Sequence, residues 1–394
     1  LISKINIYLL ALYVWILPMF FISEVSPLFF TLSIIWLIID LILKTFTNTN
    51  NINIFLIALY GFFLNVIIGA MYQLIPNSLM KKPKFPKLSF ITLGLSVLNG
   101  FTMFLWYFGI LGNIYFSISN IVLILAFLIH ISTALKIPNS ITAKFLSASL
   151  IFLTINALEM LFYAFNKINT FFLIHTFTIG FVINAVIGVE LALVPLLYME
   201  PLNMGLANKL FWVHQISASI LIASFYIFDL RLIYFAGILE FIVLGFFVYL
   251  IYKTIENRKF PKNIPYTLRY FFLGLGFLLL GVSFGLLVAS SKLEPFLHAD
   301  VMIYGFGLIT VLGGIFHFMP RILWNKYYAN KVGEQNTPPI DAMINQNVVK
   351  NLLPFIGFGL FLLIVFESNN YLKPVGDILY AFLTAYSLYA FIRK

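Results

Sequence analysis

Cysteine is absent from all 394 residues, which excludes disulfides, thiolate metal sites, iron–sulfur clusters and covalent c-type heme attachment. Charge is scarce as well. Asp, Glu, Lys and Arg make up 10% of the chain against 62% hydrophobic residues, too little to cover a water-facing surface, so a soluble domain is excluded. Histidine occurs five times, at positions 130, 175, 214, 298 and 317. Any metal must therefore be held by His, Met, carboxylate or Tyr. The formal net charge is +10, yet Lys and Arg form no basic domain of the kind that binds nucleic acid, and no nucleic-acid partner is expected. Residues 5–22 lack a small-residue cleavage site and run straight into another apolar stretch, which predicts an anchor rather than a cleaved leader.

What remains is apolar and long. Spanning a bilayer as helix takes about 20 mostly apolar residues, and thirteen stretches qualify: 5–22, 27–44, 53–76, 88–111, 113–136, 141–165, 169–197, 206–229, 231–254, 266–290, 296–322, 347–367 and 370–391. The basic residues sit in alternate loops, such as Lys81, Lys82, Lys84 and Lys87, then Lys253, Arg258, Lys259, Lys262 and Arg269, then Arg321, Lys326, Lys331 and Lys350. By the positive-inside rule those loops face the cytoplasm, which predicts a multi-pass protein of the inner (cytoplasmic) membrane with its C-terminus inside.

One pattern returns three times: Gly-Phe, a second Gly eight residues after the first, and a Pro seven residues beyond that. The copies are Gly61, Phe62, Gly69, Pro76; Gly180, Phe181, Gly188, Pro195; and Gly305, Phe306, Gly313, Pro320. Asn65 and Asn184 follow the first Gly by four residues in the first two copies. The intervals of 119 and 125 residues hold about four spanning helices each. The expected fold is thus an all-α integral membrane protein of about 12 transmembrane helices in three pseudo-symmetric four-helix units. One extra N-terminal helix precedes them, with 1–26 as anchor and 27–394 as the membrane domain. Each unit carries the pattern on its second helix, where Gly lets a helix or a flat cofactor approach closely and Pro ends the regular backbone.

All five histidines fall in predicted spans, and an ionisable ring in hydrocarbon needs a partner. His175 and His298 open the second helices of units two and three at similar depth, which suits heme or metal ligation. Packing against a neighbouring carbonyl or hydroxyl explains them equally. His130, His214 and His317 lie in the opposite halves, where they could converge on a metal or proton site or bond to loops. Among the carboxylates in spans, Asp40, Glu159, Glu190, Glu240, Asp300 and Asp377, Asp300 is two residues from His298 and could orient a cofactor or ligate a metal. Glu159 and Glu240 could serve a proton path or pair structurally.

The segment FLHADVMIYGFGLITVLGGIFHFMPRILW (296–324) resembles the tenth helix of subunit I of the heme-copper oxidase superfamily. In that helix a heme-ligand His stands fifteen residues before Gly-Gly and x-x-His-x-x-Pro. Here those positions are His298, Gly313, Gly314, His317 and Pro320. IHTFTIGFVINAVIGVELALVP (174–195) is similar to the sixth helix of the C-type (cbb-type) oxidases, whose copper-ligating His corresponds to His175, and KLFWVHQIS (209–217) to the start of their seventh. The resemblance implies twelve helices in three groups of four, and it implies departures. Asp300 and Asn53 stand where the low-spin heme ligands would be, Phe228 and Asp229 where the paired copper histidines would be, and Ile179 where a Tyr would be. It implies at most one b-type heme, with His298, Asp300, Gly305 and Gly313 around it, and an incomplete copper site left with His175. The expected business is a diatomic gas, NO or O2, in the manner of the NnrS-type membrane heme proteins. Any activity would be that of a heme-dependent oxidoreductase of cytochrome oxidase or NO-reductase type, not of a full proton-pumping oxidase. The expected partners are the lipid bilayer and a cytochrome or other membrane subunit. The alternatives are a cofactor-free membrane subunit or ion or proton transporter that retained the fold, and a non-heme metal site at His175, His298 and Asp300.

Overall fold

The structure, a computed structural model, describes residues 20–46, 51–138, 140–256, 265–367, 369 and 371–391. The expected anchor 5–22 falls almost wholly outside those residues, and the boundary drawn at 26 falls at the start of the first described helix. Among the described residues are twelve long helices: α1 Ser26–Thr45, α2 Asn53–Leu79, α3 Pro86–Tyr107, α4 Asn113–Ser132, α5 Ile141–Ala164, α6 Thr170–Tyr198, α7 Met204–Ile227, α8 Leu230–Glu256, α9 Tyr266–Ala289, α10 Pro295–Lys331, α11 Gln346–Phe366 and α12 Lys373–Leu388. Eleven are long and apolar enough to cross a membrane, and α12 is shorter, at 16 residues. The stretch expected to run to 111 stops at Tyr107 because Gly109 takes a φ of +71° and turns the chain.

The three units are α1–α4, α5–α8 and α9–α12. Packing of α4 on α5, α8 on α9 and α12 on α1 closes them into a ring. The second helices α2, α6 and α10 are the most enclosed, with 94%, 78% and 78% of their apolar windows buried against 56% or less for every other span. They run antiparallel to the first helices, so that His175 and His298 start at one end of the bundle while Pro76, Pro195 and Pro320 lie toward the other. These are called below the histidine end and the proline end.

The structure gives the repeat a physical cause. The first helix of each unit carries two aromatic residues seven apart: Phe29 and Trp36, Phe145 and Phe152, Tyr270 and Phe277. Each rests on a repeat glycine of the second helix. A Cβ placed on Gly69, Gly188 or Gly313 would lie 2.7, 2.9 or 2.9 Å from the Cβ of Phe29, Phe145 or Tyr270. One on Gly61, Gly180 or Gly305 would meet Trp36, Phe152 or Phe277 at 3.0, 2.4 or 3.1 Å. The second helix spaces its glycines by eight rather than seven, and in each unit a π-helical segment surrounds the first of them: Ala58–Phe63, Thr176–Ile183 and Val301–Gly307. A wider turn leaves carbonyls without their usual donors. Asn65 Nδ2 donates to Gly61 O at 2.6 Å and Asn184 Nδ2 to Gly180 O at 2.7 Å. In the third unit, which has no Asn there, Tyr380 Oη donates to Tyr304 O at 2.7 Å.

Because a backbone-proximal Phe29 Cβ cannot swing aside, Gly69→Ala is expected to cost about 1–3 kcal/mol through overpacking. Thermal unfolding of the purified variant in detergent measures this, and an unchanged midpoint would contradict the packing account.

Candidate functional site

A cavity of about 950 Å³ opens at the histidine end, walled by α2, α6, α7, α8, α9 and α10. His175 and His298 both line it, among largely apolar neighbours such as Phe55, Phe63 and Phe306. The two histidines are held alike. His298 Nδ1 lies 2.8 Å from Gly281 O, and His175 Nδ1 lies 2.7 Å from Phe171 O. A carbonyl only accepts, so each Nδ1 carries a proton, and a neutral ring of this tautomer keeps its lone pair on Nε2. Neither Nε2 has a hydrogen-bond partner among the described residues. The His175 ring stacks on Phe225, with centroids 3.5 Å apart and planes 13° apart. The His298 ring lies over Gly285, where a Cβ would come within 3.0 Å of Cε1.

Asp300, Gly305 and Gly313 do not line this cavity. On a helix two residues turn through about 200°, so Asp300 points away from the face that His298 presents. Its Oδ2 accepts from Lys44 Nζ at 2.9 Å. Gly305 is occupied by Phe277 and Leu360, and Gly313 by Tyr270 and the Thr267 carbonyl. The close approach expected of these glycines is made by helices.

Lys44 centres a second constellation. Its ammonium also lies 2.7 Å from Glu367 and 3.3 Å from Asp377, and 5.4 Å from the Tyr304 ring centroid. Lys373 reaches Glu367 at 3.1 Å, and Tyr304 donates to Asp40 at 2.5 Å. Four helices, α1, α10, α11 and α12, are thereby tied together by groups almost wholly buried. Sequence reading passed over Lys44, Glu367 and Lys373 because each stands at a span end, where charge is ordinary.

The other histidines do not converge. His130 takes Tyr72 Oη at 3.2 Å and Lys84 O at 3.0 Å. His317 Nδ1 lies 3.1 Å from the Arg321 guanidinium. His214 Nδ1 lies 2.9 Å from Glu240, which also accepts from Ser217. Glu240 reaches the wall of the large cavity. Glu159 is satisfied by Thr176 at 2.8 Å and Asn156 at 3.2 Å. Among the described residues no group of three or more His, Asp or Glu is arranged to hold a metal ion.

No family model matches the chain. It is 34% identical over 353 residues to an uncharacterized protein of Aquifex aeolicus (strain VF5), covering 87% of this chain and 90% of that one. A solved structure, described as a heme-copper terminal oxidase dimer seen by cryo-electron microscopy, superposes with a TM-score of 0.65 at 14% identity, over 95% of this chain and 83% of the other. At that identity the likeness is one of fold.

Proposed function

Because the chain belongs to one family with the Aquifex aeolicus protein and has the fold of a heme-copper terminal oxidase, we propose that it binds a single b-type heme in the large cavity and handles a diatomic gas. The observation that carries this reading is the pair of imidazoles, each fixed through Nδ1 and bare at Nε2 among the described residues, on the wall of one largely apolar cavity. A volume of about 950 Å³ lies within the range of about 300–1,000 Å³ usual for cofactor sites. Carbonyl-anchored imidazole is the usual arrangement of a metal-ligating His.

His298 is the ligand in this reading, with the Gly281 carbonyl orienting its ring and Gly285 leaving room for it. A bound b-type heme would supply an iron able to take NO or O2. His175, braced by Phe225, offers a second polar group in the same space, whose walls are largely apolar. Glu240, which accepts from Ser217 and lies 2.9 Å from His214 Nδ1, is a buried carboxyl at the cavity wall. A cytochrome or other membrane subunit would supply electrons. In this reading the proline end, where the basic loops gather, would face the cytoplasm by the positive-inside rule.

An absorption spectrum of detergent-purified protein, oxidised and then dithionite-reduced with and without carbon monoxide, tests this. A Soret band that moves with carbon monoxide is expected. Well-folded protein without such a band would overturn the reading in favour of a cofactor-free membrane subunit or an ion or proton transporter, for which the buried Lys44 constellation is the supporting observation.

A further inference from the structure

At the proline end of the first unit, the loop between α2 and α3 is fastened to the end of α4. His130 Nε2 lies 3.0 Å from Lys84 O, Lys84 N donates to Thr133 Oγ1 at 2.9 Å, and Lys81 Nζ donates to Leu135 O at 2.9 Å. His130 is buried, so the loop backbone at Lys84 is held from inside the bundle. The side chains of Lys84 and Lys87, and of Lys136 just beyond α4, stay exposed. Phe85 follows Lys84 with a φ of +49°, a left-handed backbone that a bulky residue adopts only at a cost, and it is 75% exposed. Ile137, next to Lys136, is 90% exposed.

The chain supplies no anion to this platform. None of its 14 acidic residues lies between positions 41 and 158. Glu24 belongs to the segment whose Phe21 and Ser23 bond to Asn77 and Gln73 at the same end, yet the ion pairs among the described residues include neither it nor any of these lysines. The other basic loops carry their own acids: Lys253 pairs with Glu256 at 2.5 Å, and Glu334 and Asp341 lie within 321–350. Lys81 is committed to Leu135, and Lys82 lies over the Phe20 ring at 5.3 Å, which leaves Lys84, Lys87 and Lys136 to meet an anion from outside. A water-soluble anion would answer the lysines alone. An anionic phospholipid answers the lysines with its phosphate and the exposed Phe85 and Ile137 with its acyl chains, at the depth where spans end and such side chains sit at the bilayer surface.

We propose that this platform binds an anionic phospholipid, with Lys84, Lys87 and Lys136 meeting the headgroup phosphate and Phe85 and Ile137 entering the acyl layer beside it. His130 is a positioning residue, holding the Lys84 backbone. The site is independent of whatever occupies the large cavity.

Native mass spectrometry of the full-length protein in detergent, titrated with phosphatidylglycerol or with phosphatidylcholine, tests the proposal. Wild type is expected to take phosphatidylglycerol in clear preference. Each lysine beside an anionic lipid contributes about fivefold, so the triple variant Lys84→Gln, Lys87→Gln, Lys136→Gln should weaken that binding by roughly tenfold or more. Lys326→Gln, Lys331→Gln, Lys350→Gln removes the same charge from a loop that has its own acids and should leave the preference in place. An equal loss in both triple variants would mean diffuse attraction to the whole proline end and overturn the site. No preference in wild type would leave the lysines to an acidic protein partner and also overturn it. Phe85→Ser with Ile137→Ser should weaken phosphatidylglycerol severalfold; unchanged binding there, with inorganic phosphate competing at like concentration, would mean a free-anion site and overturn the lipid. Should the first triple variant fail to assemble, the wild-type preference and the Phe85, Ile137 variant decide.

Discussion

Lys44→Met is expected to destabilise the protein by about 3–5 kcal/mol, the usual consequence of removing one partner from a buried ion pair. The lysine is 1% exposed, and its three carboxylate partners are 0%, 5% and 1% exposed at 2.9, 2.7 and 3.3 Å. Without the ammonium, Asp300 and Asp377 would face each other in a low-dielectric site with only Lys373 nearby, on Glu367. Loss of the monodisperse peak in size-exclusion chromatography, or a much lower unfolding temperature, is the readout. Because the penalty comes from stranded charge and not from lost volume, adding Asp300→Asn and Asp377→Asn to Lys44→Met should recover much of the loss. A single variant as stable as wild type would show that the constellation does not hold α1 to α10, α11 and α12.

His298→Ala is expected to abolish the carbon monoxide-sensitive Soret band and leave the fold intact. Its ring is half-buried against a cavity and a glycine, so truncation enlarges an existing space and does not open a new void in a packed core. His175→Ala should retain the band and change its response to carbon monoxide, since His175 lines the same cavity from another helix. Pigment retained in the first variant and lost in the second would exchange the two roles. Pigment retained in both would remove the histidines from heme binding.

The three-unit architecture was legible because a long-period repeat survives in sequence when its cause is steric. Only glycine fits under Phe29, Phe145 and Tyr270, so three glycines mark three equivalent contacts. The meeting of His175 and His298 at one cavity was legible for a related reason, as both open equivalent helices. The direction of Asp300 was not, although the 200° between it and His298 could have separated them. In a membrane protein the lipid-facing and protein-facing sides of a helix are both apolar, so periodicity gives little guide to which neighbour a residue meets. Phe277 and Phe358 both read as apolar, yet the first packs on Gly305 and the second is exposed. Lys44, Glu367 and Lys373 come from distant span ends, and nothing local announces that they pair.

The wide turn in each second helix also acts as a rotation built into the chain. Each residue of an α-helix adds about 100°, so the one additional residue of a π-turn sets the stretch before it at a different angle from the stretch after it. In α6 that turn lies between His175, upstream of Thr176–Ile183, and Glu190, downstream. Deleting one residue from Thr176–Ile183 would restore an even winding, keep Glu190 and Pro195 seated, and swing His175 by about 100°, off the cavity and away from Phe225. The same arithmetic holds for His298 across Val301–Gly307, so the aim of both imidazoles depends on a single surplus residue in each helix.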